Sequence, residues 1–187
     1  DAELREPALG LLRAGRAARE DSPEYIEALI AFYDGRLEEA LELTRRGSAR
    51  LSWLHEARQL EADVHTALAT RRWQAGEAAE AAASWQHAAV ALEAAAQVAR
   101  SDVDAQLGLC TLGTTLLDLR PAGLEPDPAR WRLACDRGVA IDPERVEAHQ
   151  QRALLYCELA ERAREAGRDC APLLEEARAA ATTALEL

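Results

Sequence analysis

The sequence predicts an all-α protein built from antiparallel helix pairs, and three observations carry that expectation. Alanine supplies much of the 49% apolar content while aromatics reach only 4%. That is the composition of close-packed helices, because alanine has the best intrinsic helix propensity and lets helix axes approach. The 10 glycines and 7 prolines fall mostly where helices would have to end, and strand signals are nearly absent. A glycine followed by alanine at a fixed offset also returns along the chain, at Gly35–Ala40 and again at Gly76–Ala81. At 187 residues there is chain enough for one substantial domain, or for about four to five helix pairs.

Taken in order, Leu4 to Arg19 reads as a leading or capping helix with Leu4, Leu9 and Leu12 on its apolar side. Asp21-Ser22-Pro23-Glu24 is a start signal: a capping residue, a proline whose missing N–H costs nothing, and an acid at the positive helix end. Tyr25–Tyr33 then forms a helix, Gly35 turns the chain, and Leu37, Ala40, Leu41 and Thr44 set a second helix ending near Gly47. The next first helix runs unbroken from Trp53 to Ala75, and Gly76, Ala81, Trp85 and Ala88 mark its partner. Ser101-Asp102-Val103-Asp104 is a capping box opening a helix that ends by Leu119–Arg120. The prolines of Pro121–Pro128 cannot be helix interior, so this stretch is an enlarged turn, with Asp127-Pro128 starting the partner helix. On that partner Trp131, Cys135 and Gly138 share one face at i, i+4 and i+7. Asp142-Pro143 reads as cap and first position of the following helix, which runs to Ala166–Gly167. The last helix follows Pro172 and carries Ala177, Ala181 and Ala184 as a small face.

Gly35, Ala40, Thr44 and Gly47, and more cleanly Gly76, Ala81, Trp85 and Ala88, resemble the tetratricopeptide repeat (TPR) pattern G-x4-A-x3-F-x2-A. The stretch WRLACDRGVAIDPERVEAHQQRALLY resembles a junction between two such repeats. The resemblance covers Ser22 to the C-terminus as four degenerate repeats. The step from Gly35 to Gly76 is about one heptad longer than the usual ~34 residues. Seven residues are two helical turns to within about 20°, so the extension lengthens a helix without rotating its faces. The resemblance implies a right-handed superhelical array of about nine helices. It divides a single domain, 1–187, into a leading helix 1–20 and repeats 21–52, 53–100, 101–142 (with an insertion at 121–128) and 143–187. Helical repeats of the HEAT, armadillo or bundle type remain the alternative.

In TPR arrays the first helix of each pair lines a concave groove that takes a protein or peptide ligand. Carried onto this sequence, the first repeat offers Tyr25, Leu29, Phe32 and Tyr33, and the second Gln59, Asp63, Thr66, Thr70 and Trp73. The third offers Asp102, Ala105, Leu109 and Leu112, and the fourth Glu147, Gln150, Leu154 and Glu158. The implied groove is aromatic at one end and polar to acidic at the other. TPR domains that grip a chaperone's C-terminal carboxylate use lysines and asparagines, and this chain has neither. The stretch LSWLHEARQLEADVH and its continuation resemble TPR regions appended to bacterial serine/threonine protein kinases. The expected function is therefore a non-enzymatic interaction scaffold within a larger signalling protein. Ligand sensing and self-association are the alternative classes, and the oligomeric state is left open.

Charge and motif content narrow the rest. The net charge of −11 repels phosphate backbones and anionic lipid, which disfavours nucleic-acid and membrane partners. The absence of lysine, asparagine and methionine points to a GC-rich bacterial genome and to a piece of a longer protein. No P-loop, dinucleotide-binding, metalloprotease or nucleophile-elbow motif occurs, so no catalytic residue or cofactor is expected. His55, His65, His87 and His149 are scattered and read as surface or packing histidines, not metal ligands. The cysteines Cys110, Cys135, Cys157 and Cys170 show no C-x-x-C or zinc spacing. The first three read as small core hydrophobes, Cys170 as a loop thiol, and a reducing cytoplasmic compartment follows.

Overall fold

The computed structural model describes residues 22–121, 124 and 127–187. Eight α-helices and no strands are found among them: α1 Pro23–Tyr33, α2 Leu37–Arg50, α3 His55–Gln74, α4 Ala78–Val98, α5 Val103–Leu119, α6 Pro128–Ile141, α7 Val146–Glu165 and α8 Ala171–Glu186. The leading helix expected over Leu4–Arg19 lies outside the described residues. Two compact units divide at Ala99/Arg100.

Three of the four within-pair turns are built alike. Gly35, Gly76 and Gly167 hold φ of +78°, +81° and +67°, a region closed to most side chains. The residue after each glycine donates its N–H back across the turn: Arg36 to the Ala31 carbonyl at 2.8 Å, Glu77 to Arg72 at 2.9 Å, Arg168 to Ala163 at 2.8 Å. With the glycine N–H bonded to the second-last helical carbonyl, this is the Schellman stop, which satisfies carbonyls the helix end would orphan. The fourth turn departs from it. Arg120, immediately before Pro121, takes the left-handed conformation itself, at φ 50° and ψ 53°.

In the first unit, α1 and α2 close on α3 around Ala28, Ala31, Leu37, Ala40, Leu43, Leu60, Val64 and Leu68. The positions that carry the repeat pattern are core: Ala40, Thr44, Ala81 and Ala88 are fully buried, and Trp85 nearly so. Side-chain pairs fix the antiparallel sense of neighbours. Arg45 meets Glu61 at 3.1 Å while Arg71 reaches Glu38. On the next pair His65 stacks on His87, while Arg72 donates to the Ser84 hydroxyl at 2.5 Å.

The second unit is knit by the same logic, with one covalent addition. Along the α5–α6 seam Gly138 meets Leu107, Cys135 is disulfide-bonded to Cys110, and Trp131 lies against Gly113. The order reverses from one helix to the other, so the pair is antiparallel. Between α5 and α7 the order is conserved instead: Asp104 pairs with Arg145 at 2.9 Å, the Leu117 carbonyl accepts from Arg162 at 2.9 Å, and Arg120 pairs with Glu165. The two first helices of this unit are therefore parallel neighbours, as stacking of helix pairs requires.

Several local expectations are corrected. Helix α2 runs past Gly47 to Arg50, because Gly47 packs against the Glu24–Tyr25 start of α1 and a small residue is what that contact needs. Asp142 ends α6 and does not cap α7. Pro143 and Glu144 make a turn, the Arg145 N–H donates to the Asp142 carbonyl at 3.2 Å, and α7 begins at Val146. The cap of α5 is Asp102, which accepts from the Asp104 N–H at 2.9 Å, not Ser101. Cys110 and Cys135 are core residues as expected but joined to each other, whereas Cys157 is exposed. On α8, Ala177 is buried, Ala184 half-buried and Ala181 open.

Candidate functional site

The residues expected to line a groove behave differently in the two units. On α1, Tyr25, Leu29 and Phe32 are half-buried and pack onto the first-unit core. Tyr33 is 46% exposed and meets the Phe32 ring edge-on at 5.5 Å between centroids. Trp73 is half-buried, 5.8 Å from the ring of Trp85 across the α3–α4 pair. These rings spend most of their surface on packing, and Tyr33 alone of the four presents a large open face.

The polar members stand clear. On α3, Asp63 and Thr70 are exposed and Thr66 half-buried, with the Thr70 hydroxyl donating to the Thr66 carbonyl at 2.9 Å. Asp63 reaches solvent, yet surrounding protein desolvates its carboxyl enough to push it up to about 6. On α7, Gln150 and Leu154 are exposed and Glu158 half-buried, along a strip that begins at Glu147. Burial, then Asp118 and Glu161, raise the Glu158 carboxyl above its ordinary range. Ala105, Leu109 and Leu112 on α5 are buried, so they form core and do not line an open surface. The i, i+3, i+7 stripe that places a residue on the outer face of α7 places its counterpart on the inner face of α5, which α6 and α7 cover.

Two features go beyond the sequence reading, which has His65 only as a surface or packing histidine. His65 is a buried histidine, stacked on His87 at 5.1 Å with an Arg45 guanidinium nitrogen 3.5 Å from its Nε2. Burial, then His87, Arg45 and Arg72, hold it down to about 4, so it is neutral in the folded protein. His149 serves a different local purpose, with its Nε2 2.8 Å from the Pro143 carbonyl ahead of α7. Among the described residues no group of His, Cys, Asp and Glu is arranged to hold a metal ion.

The other feature is a cavity of about 600 Å³ in the second unit, at the end where α5 and α7 finish and α6 and α8 begin. Arg120, Arg132, Arg162 and Arg168 converge on it from separate elements, above an apolar wall that includes Leu159, Ala163 and Leu173. Glu165 is the one acid in the lining, and both its oxygens are held by Arg120, at 2.8 and 3.0 Å. The arginines are up to 48 positions apart in a chain rich in arginine, and no spacing rule unites them, so only the fold could show the cluster.

No protein-family model matches the chain, and no curated protein does either. Among solved structures the fold is similar to the crystal structure of MamA, a TPR-like all-helical protein. The TM-score is 0.58 at 17% identity, covering 97% of this chain and 87% of that one. The fold is an all-α, TPR-like array of helix pairs. Among the described residues no helix is long and apolar enough to cross a membrane.

Proposed function

We propose that this chain is a non-enzymatic protein-interaction module that holds an extended segment of a partner protein along an exposed first-helix face. The observation that carries this reading is the strip Glu147–Gln150–Leu154–Glu158 on α7, with its counterpart Asp63–Thr66–Thr70 on α3. Among the described residues Glu147, Gln150 and Leu154 are exposed on one face of α7, and Asp63 and Thr70 on one face of α3. Leu154, 51% exposed between polar neighbours, has the character of an anchor, and Tyr33 is a second.

A partner reading this strip would present basic or hydrogen-bonding groups to its acids and an apolar side chain to Leu154. The resemblance to kinase-appended repeats supports the finer reading that the module recruits substrates or regulators within a larger bacterial signalling protein. The disulfide weighs against a reducing compartment. The test is affinity capture of partners from source cells by wild type and by a Leu154→Arg/Thr70→Arg variant of unchanged circular dichroism. A protein held by wild type and lost by at least ten-fold in the variant fits the proposal. Equal retention by both would move the interaction to another face.

A further inference from the structure

The arginine-lined cavity of the second unit is not explained by the interaction strip. Many arginines of this chain, acidic by a net −11, are held by carboxylates: Arg45 by Glu61, Arg50 by Glu24, Arg145 by Asp104, Arg152 by Asp136 and Glu176. Arg120 is neutralised by Glu165, but Arg132, Arg162 and Arg168 have no carboxylate at ion-pair distance among the described residues. Arg132 lies over the Tyr156 ring at 5.4 Å, a contact that fixes its plane without cancelling its charge. Arg162 gives one terminal nitrogen to the Leu117 carbonyl, a neutral acceptor that leaves its charge unbalanced.

The helices α6 and α8 also begin at this end, each with an aspartate, Asp127 and Asp169, accepting from a first-turn N–H. The wall is apolar through Leu159, Ala163 and Leu173, and a volume of about 600 Å³ falls within the range of small-molecule sites.

We propose that this cavity binds a small organic carboxylate with an apolar body, its two oxygens taken by Arg162 and Arg168 and its hydrocarbon laid on the Leu159–Leu173 wall. A guanidinium fork matches a carboxylate's two oxygens, and Arg132 supplies charge from the side. Binding at this site would act beside the interaction strip on the same helix, since Leu159 and Arg162 follow Glu158 on α7.

The test is calorimetric titration of the whole chain with decanoate, with 1-decanol and inorganic phosphate as separate arms. Decanoate should bind saturably, one per chain, and at least ten-fold more tightly than either control. Arg168→Gln, a change at an exposed side chain that leaves the core alone, should weaken decanoate by about ten-fold, and Arg162→Met should abolish it. Arg178→Gln, at an arginine on α8 paired with Glu175, should change nothing. The proposal is overturned if decanoate does not saturate, if decanol binds as well, if phosphate binds as well, or if Arg168→Gln is indistinguishable from wild type.

Discussion

At the scale of single residues the sharpest consequence belongs to His65. Its ring is neutral when folded, with a pKa near 4, and ordinary when unfolded, near 6.5. Between those values the unfolded chain binds the proton and the folded one does not. Stability from this group is therefore complete above about pH 6.5 and is lost as pH falls toward 4, by an amount on the order of 2–3 kcal/mol. Asp63 runs the other way, because its charged form is disfavoured in the fold: stability declines as pH rises from its ordinary 3.8 to about 6. Replacing His65 by Phe should remove the first effect and leave the second. Thermal unfolding followed from pH 7 to pH 4 should show wild type losing several degrees more than His65→Phe; equal losses would mean His65 is already solvated. None of this could be seen in the sequence. His65 and His87 are 22 positions apart, and only the α3–α4 pairing stacks them.

At the scale of elements, the α5–α6 seam shows how far periodicity reaches. Trp131, Cys135 and Gly138 were legible as one face of α6 from their spacing alone, and that face is the one turned to α5. What spacing could not supply was the surface opposite, where Gly113 admits the indole so closely that a Cβ there would sit 2.4 Å from Trp131 Cγ. Because the contact is to a buried ring and not a flexible chain end, Gly113→Ala should cost about 2–3 kcal/mol, read as a lowered midpoint in chemical denaturation. The variant Gly47→Ala, whose Cβ would meet its nearest atom at an ordinary 3.7 Å inside α2, should instead be neutral or stabilise by up to about 1 kcal/mol by the same measurement. Helix ends were read well where glycine or a capping aspartate decides them, at Gly35, Gly76, Gly167 and Asp127. They were misread at Asp142-Pro143, whose cap-and-proline signature is satisfied by a turn instead. On α7 the stripe carried over from the repeat pattern places Gln150 and Leu154 on an exposed face. On α5 that inference failed because the helix is covered on most sides.

At the scale of the whole molecule, the two compact units invite a direct test of autonomy. Residues 100–187 contain their own core around Val103, Leu107 and Ala148 and all four cysteines, two of them bonded. The disulfide closes a loop of 25 residues, which limits the unfolded chain by an amount worth about 3–4 kcal/mol. Expressed alone, this half should keep its helical circular dichroism. It should react with thiol reagent at two cysteines when native and at four after unfolding in reductant. Four reactive thiols without reductant would show that Cys110 and Cys135 are not joined. The same bond has a topological result. Every peptide linkage from Leu119 to Pro128 lies inside the ring it closes, so a protease nick there would leave the molecule in one piece on a non-reducing gel. Two fragments would part only once a reductant is added.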